Sequence, residues 1–305
     1  MKLISFKYEG KVKFGSYQDS MIYDLHALDQ KISDNIGDFL NGGEIQLQLA
    51  QNAIKDNSPS ISINDVVLIS PVPNPPSVRD AYAFRQHVET ARRNRGLEMI
   101  PEFDEIPIFY FTNHNAVFGE GDFPIKPMHN EKLDFELECA AVIGKKGRNI
   151  SSKYADEYIT GFMIMNDLSA RALQMQEMKL NLGPAKGKDF GSTFGPWLVT
   201  KDELNDYKTT SKDGDRYNLK MQAFVNDILV SEDTLENMTW TFAQIIERVS
   251  YGVDIFPGDI IGSGTCGTGC FLELNGSKIT DNQWLKPNDV VSLKIEGLGT
   301  LNNKI

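Results

Sequence analysis

Alternating apolar and polar positions dominate the start of the chain. Phe6 and Tyr8 fall on one side of an extended segment, with Lys7 and Glu9 on the other. After Gly10, Val12 and Phe14 alternate with Lys11 and Lys13, and Met21, Tyr23 and Leu25 repeat the pattern. Period-two alternation interrupted by glycine predicts a β-meander. A polar helical stretch follows near 38–56, and then Pro-Val-Pro-Asn-Pro-Pro at 71–76. Proline locks φ and lacks an N–H, which excludes regular helix and central strand and predicts an extended linker. The pattern therefore divides into a small N-terminal β domain over 1–70 and a second domain over 71–305.

Residues 81–98 lack glycine and proline until Gly96 and read as a helix, with Asp80 at the N-cap position. From residue 108 onward most segments are strand-like: IFYFTN, DFELECAAVIG, GFMIMN, PWLVT, LKMQAFVND, DIIGSG, CFLELN and DVVSLKIEG. Helical patterns are confined to about 152–158, 168–180 and 239–250. The expected fold class is mainly β, within α+β. Neither GxGxxG nor GxxxxGK[ST] occurs in a strand–helix setting, so nucleotide-cofactor binding has no support.

Composition narrows the partners. The 305 residues are 41% hydrophobic and 24% charged, which suits a folded globular chain and not a disordered one. Lysine and arginine total 31 against 42 acids, a net charge of -11. Nucleic acid and anionic membranes call for a basic face, so neither is an expected partner. A small molecule or a cation is. The three cysteines, Cys139, Cys266 and Cys270, form no disulfide framework and lack zinc-site spacing. The N-terminus has no signal-peptide pattern, and no run approaches the about 18 apolar residues of a membrane span. A reducing, cytoplasmic setting is the expectation.

The chemistry concentrates in five segments. In Asp134-Phe-Glu136-Leu-Glu138, side chains alternate across a strand, so the three acids share one face and Phe135, Leu137 and Cys139 face the core. Carboxylates gathered this way suit a hard cation such as Mg²⁺ or Ca²⁺, although a solvated strand face gives the same pattern. Gly161–Asp167 is an apolar run ending in an acid. The following helix would set Arg171 and Gln174 on one face at i, i+3, and a helix cap with an i+4 partner would read the same way. His87, near Asp80 and beside Arg85-Gln86, is suited to proton transfer or to a structural role on its helix. Lys188 lies among glycines, either close to a ligand or in a solvated turn. Pro257-Gly-Asp…Gly264-Thr265 allows close backbone approach or tight turns, with Glu273 following in a strand.

Together these segments resemble the fumarylacetoacetate hydrolase superfamily. The matching pieces are Glu136-x-Glu138, Asn-Asp167-x-Ser-Ala-Arg171, Gly187-Lys188-x-Phe, Pro-Gly-Asp…Gly-x-Gly264-Thr265 and the Asp289–Thr300 ending. They cover about residues 70–305. The resemblance implies a mixed β-sheet roll with a metal site in its mouth, and a homodimer. It implies Mg²⁺ or Ca²⁺, with Mn²⁺ a third option, held by Glu136, Glu138 and Asp167. Asp80-x-Tyr82-x-x-Arg-Gln-His87 is similar to the long-chain, fumarylacetoacetase-like branch, with Asp80 a fourth ligand and His87 the catalytic base oriented by Glu273. Lys188, Arg171 and Gln174 would stabilise negative charge, and Tyr82, Arg95 and Thr265 would bind substrate. Met178 stands where that branch has a tyrosine, and no second tyrosine is evident around His114. The implied activity is metal-dependent hydrolysis of a carbon–carbon bond in a 2,4-diketo acid, in aromatic catabolism. The alternative is a 2-keto acid decarboxylase, tautomerase or isomerase, or a sugar-acid dehydratase, on the same metal.

Overall fold

A computed structural model describes residues 1–305. Its main sheet has twelve strands. From one side the order runs Met21–Asp24, Lys11–Gln18, Lys2–Tyr8, Ser192–Thr200, Ile159–Asn166, Leu137–Ile143, Ile260–Gly262, Val78–Ala81 and Phe109–Thr112. Along this run only the pairing of Val78–Ala81 with Ile260–Gly262 is parallel. A second, five-stranded sheet contains Lys220–Val225, Ile228–Thr234, Val290–Ile295 and Gly299–Lys304. The strand-rich fold expected from the alternation is present. No helix is long and apolar enough to cross a membrane.

The two faces of the central strand Leu137–Ile143 bury different cores. Leu137, Cys139, Ala141 and Ile143 join Phe162, Phe242 and the second sheet's Met221 and Leu293. Ala140 and Val142 join Met163, Met165 and Ile260, and with them Leu3, Phe14, Phe39 and Ala50 from the first fifty residues. The N-terminal strands thus continue the main sheet through Leu3 opposite Leu198. The proline-rich 71–76 segment has no regular structure, as expected, and Ser5 donates to the Pro71 carbonyl at 2.8 Å. The polar stretch near 38–56 resolves into the helices Ile36–Asn41 and Gly43–Asp56.

Two local expectations fail. The helix read over 81–98 is only Arg85–Arg93, with Phe84 at its N-cap. Asp80 lies instead in the strand Val78–Ala81, where pairing on both sides overrides the local helical pattern. CFLELN is not a strand but the helix Phe271–Gly276. Six residues are too few for periodicity to decide. The deciding contact is remote: the Asp134 carboxylate accepts the N–H groups of Phe271 and Leu272, at 2.8 and 2.9 Å, and anchors the helix start.

Because the first strand and the central sheet share one core, truncating Leu3 should weaken the whole chain. Leu3→Ala removes a fully buried side chain and should cost about 2–5 kcal/mol. Urea unfolding should remain a single transition at lower midpoint. Two separated transitions, only one of them shifted, would contradict the shared core.

Candidate metal and catalytic site

Strand register builds the site. Asp80 pairs with Gly262, and Gly262 pairs with Ala140, two residues beyond Glu138. Side chains two apart share a face, so Asp80 and Glu138 flank Gly262 on the same side of the sheet. A Cβ on Gly262 would lie 2.5 Å from Asp80 Oδ1 and 3.0 Å from Glu138 Oε2, so the absent side chain is what makes room for the pair. Asp167 follows the strand Ile159–Asn166, and its N–H donates to the Glu136 carbonyl at 3.4 Å. Glu136 lies just before Leu137–Ile143, where its N–H donates to Asn166 Oδ1 at 3.0 Å. Asp80, Glu136, Glu138 and Asp167 each bring a buried carboxylate oxygen within 4.8 Å of the others.

Asp134, expected on the same face, is not one of them. It caps the Phe271–Gly276 helix and receives Arg171 Nε at 2.9 Å. Its strand ends at Asp134 and the next begins at Leu137, so alternation does not run through. Arg171 also reaches Glu136 Oε1 at 2.7 Å and donates to Gln174 Oε1 at 2.9 Å. It is not an i+4 partner of Asp167, and Asp167 caps no helix: Ala170 occupies that position.

The four acids sit in two electrostatic settings. Lys188 Nζ bonds both Glu136 Oε2 and Asp167 Oδ2, the latter at 2.6 Å. Burial opposes ionisation of Glu136, but Lys188 and Arg171 outweigh it and hold its carboxyl well below the usual range. Asp167 is still pushed up by burial, only partly offset by Lys188. On the other side, Asp80 and Glu138 hydrogen-bond to each other, which requires a proton between them. Their other donors are few: the Gly264 N–H at 3.1 Å from each, and the Thr265 hydroxyl at 3.4 Å from Glu138. Burial and then the Asp167 charge push Asp80 up to about 8. Burial and Asp80 push Glu138 well above its ordinary value. An all-oxygen donor set, with two carboxylates that cannot both ionise unaided, fits a divalent hard cation.

His87 stands outside this cage. Its Nδ1 lies 2.6 Å from Glu273 Oε2, with both side chains buried. An acceptor against Nδ1 fixes the ring proton there and leaves Nε2 as the basic nitrogen. The Tyr82 ring packs edge-on to the imidazole at 5.9 Å. A cavity of 1240 Å³ joins the parts: Asp80, Glu136, Lys188, Arg171, Gln174, His87, Tyr82 and Thr265 all line it, and Arg95 and Met178 do so farther out. Arg95 Nε is engaged by its own helix, at the Ala91 carbonyl. Glu138, Asp167 and Glu273 lie behind the cavity wall.

Sequence reasoning missed Tyr110. No tyrosine is evident around His114 in the sequence, yet the site tyrosine is four residues earlier, on the strand Phe109–Thr112 opposite Asp80. Its hydroxyl donates to Asp167 Oδ2 at 2.6 Å, and burial followed by Asp167 raises its own pKa well above normal. Ser192 Oγ donates to the other Asp167 oxygen at 3.2 Å. Only the pairing of remote strands reveals either contact.

These shifts fix the sign of a pH effect. A carboxyl whose folded pKa is raised costs stability as pH climbs from the unfolded pKa through the folded one. For Asp80 that window runs from its ordinary value of 3.8 to about 8. A bound cation displaces the proton and removes the cost. The gain in melting temperature on adding Mg²⁺ to chelator-treated protein should therefore grow as pH rises from about 5 to about 8. A gain independent of pH would contradict a proton shared by Asp80 and Glu138.

The fumarylacetoacetate (FAA) hydrolase C-terminal model matches residues 77–305. The mitochondrial oxaloacetate tautomerase Fahd2a of Rattus norvegicus is 31% identical over 288 residues, 93% of this chain and 83% of that protein. The mitochondrial oxaloacetate tautomerase FAHD2A of Homo sapiens is 30% identical over 285 residues, with the same shares. Among solved structures, the fumarylacetoacetate hydrolase of Exiguobacterium antarcticum superposes with a TM-score of 0.72 at 23% identity, covering 100% of this chain and 99% of that one. Maleylpyruvate hydrolase from Sphingobium sp. SYK-6 does so with 0.72 at 20% identity, covering 100% and 98%. Those two likenesses speak to the fold, which is the mixed sheet roll expected. With the model matching three quarters of its length, the chain belongs to the fumarylacetoacetate hydrolase family.

Proposed function

We propose that this enzyme interconverts the keto and enol forms of a 2-keto dicarboxylic acid of the oxaloacetate type. The observation that carries the reading is the His87–Glu273 pair set beside the carboxylate cage in one cavity. The names of the relatives at 30–31% identity support the choice of chemistry. They point away from the fumarylacetoacetase-like branch. Hydrolysis needs a positioned base to activate water. Moving a proton between carbon and oxygen needs one equally.

A divalent cation, Mg²⁺ in the first instance, would be held by Asp80, Glu136, Glu138 and Asp167 and would supply Lewis acidity toward the substrate's oxygens. His87 Nε2 takes the proton from the carbon between the two carbonyl groups and returns it to the enolate oxygen. Glu273 keeps the ring in the tautomer that can do so and stabilises the imidazolium that forms. Lys188 and Arg171 face the cavity and hold positive charge where the enolate oxygen gathers negative charge. Gln174 and Thr265 line the same wall, and Tyr82 packs the base in place. Arg95, at the outer end, suits a second carboxylate.

Hydrolysis of a carbon–carbon bond in a 2,4-diketo acid is a second reading, favoured by cavity size. At 1240 Å³ the cavity exceeds the about 300–1,000 Å³ that encloses a drug-sized ligand. A four-carbon diacid leaves most of it empty, whereas an extended acyl chain would reach Met178 and Trp284.

Purified protein with Mg²⁺ should speed the loss of enol absorbance of oxaloacetate over the uncatalysed rate. His87→Ala should lower that rate about 10²–10⁴-fold with Mg²⁺ affinity unchanged. Glu138→Ala should lose Mg²⁺ binding and activity together. No acceleration with oxaloacetate, alongside cleavage products from an acylpyruvate, would replace the tautomerase reading with the hydrolase one.

A further inference from the structure

Behind the proposed base lies a second cluster of metal-binding type. His87, Cys270 and Glu273 each bring a ligand atom within 4.8 Å of the others, and all three are buried. The cluster joins two elements: His87 from the helix Arg85–Arg93, and Cys270 and Glu273 from the start of Phe271–Gly276. Cys270 occupies the N-cap position there without a regular side-chain cap bond, and the Glu273 N–H is the backbone donor its sulfur faces.

The donor set differs in kind from the cage a few residues away. The cage is all carboxylate and suits a hard ion. Imidazole nitrogen, thiolate sulfur and carboxylate oxygen are each zinc ligands, and three protein ligands with one open position is a coordination zinc adopts. From these observations we infer that His87, Cys270 and Glu273 form a separate zinc-binding site, and that zinc there withdraws the histidine from proton transfer. The inhibitory part rests on His87 being the base; the binding part does not.

The geometry needs small adjustments. Tetrahedral zinc at its usual bond lengths holds its ligand atoms about 3.3–3.7 Å apart. His87 Nδ1 and Glu273 Oε2, at 2.6 Å, must separate slightly, and Cys270 Sγ already lies within 4.8 Å of a ligand atom of each. Coordination through His87 Nδ1 sends one proton to solvent, that of the Cys270 thiol, and moves the ring proton to Nε2, so the nitrogen that would accept the substrate's proton is no longer free. Burial pushes the Cys270 thiol well above its ordinary value, so the metal-free site is an inert thiol and not a reactive one. A bound zinc deprotonates a coordinating thiol outright. His87 lines the cavity while Cys270 and Glu273 lie behind it, so the ion enters from the substrate side.

The test uses the full chain saturated with Mg²⁺, so that the cage is filled. Co²⁺, which replaces zinc and reports sulfur coordination through a near-ultraviolet thiolate charge-transfer band, is the probe. The band should appear in the wild type, persist in Cys266→Ser and vanish in Cys270→Ser. Its absence from the wild type, or its persistence in Cys270→Ser, would overturn the site. Cys270→Ser should keep Mg²⁺-dependent turnover, which shows that it folds. It should need about tenfold or more zinc for half-inhibition, since losing even a group that only orients a ligand costs 10–100-fold. Equal zinc sensitivity in both proteins, relieved by excess Mg²⁺, would place the inhibitory zinc in the carboxylate cage and overturn the inhibitory claim. A cobalt band without any inhibition would leave the site standing and count against His87 as the base.

Discussion

Buried carboxylates repel, and four of them within 4.8 Å of one another cannot all ionise without positive charge among them. The rest of the site is organised around that constraint. Lys188 and Arg171 neutralise the Glu136 side, where burial alone would keep the carboxyl protonated. No side-chain cation bonds to Asp80 or Glu138, the Lys188 charge only partly offsets burial at Asp80, and there a proton takes the place of a cation. The four acids and the two bases leave two negative charges, the charge one divalent ion cancels. Asp134 adds a fifth acid, and the start of the Phe271–Gly276 helix helps to balance it.

The scaffold explains why the cluster forms at all. Asp80, Glu136, Glu138 and Asp167 come from or border three strands of one sheet, and Gly262 on the intervening strand leaves the space they occupy. The same strands bury both faces, one against the second sheet and one against the N-terminal strands. Rigid packing on both sides keeps like charges from relaxing apart. The proposed base rests on a different support, two helix starts that bring His87 and Glu273 together across 186 residues of sequence.

What the sequence made legible was chemistry carried by local pattern. Glu136-x-Glu138 places two acids on one strand face, and Asp167 ends an apolar run; spacing singled both out but left a solvated face or a helix cap equally open, and the family resemblance named them as ligands. Asp134 fits the same spacing and was misplaced, because the chain bends between Asp134 and Leu137 and nothing in the residues announces it. Tyr110 lies in an unbroken apolar and aromatic strand, and only its pairing opposite Asp80 brings it to Asp167. The Phe271–Gly276 helix depends on a carboxylate 137 residues away. Non-local contacts of this kind leave no periodic trace.

Whether the four carboxylates hold a single cation can be read from anomalous diffraction of crystals soaked in Mn²⁺. A single anomalous peak should lie among Asp80, Glu136, Glu138 and Asp167, with the Asp80–Glu138 hydrogen bond broken and oxygen ligands around the ion. At saturating Mn²⁺, a peak elsewhere, or an intact Asp80–Glu138 hydrogen bond with no ion between the four acids, would contradict a single shared site.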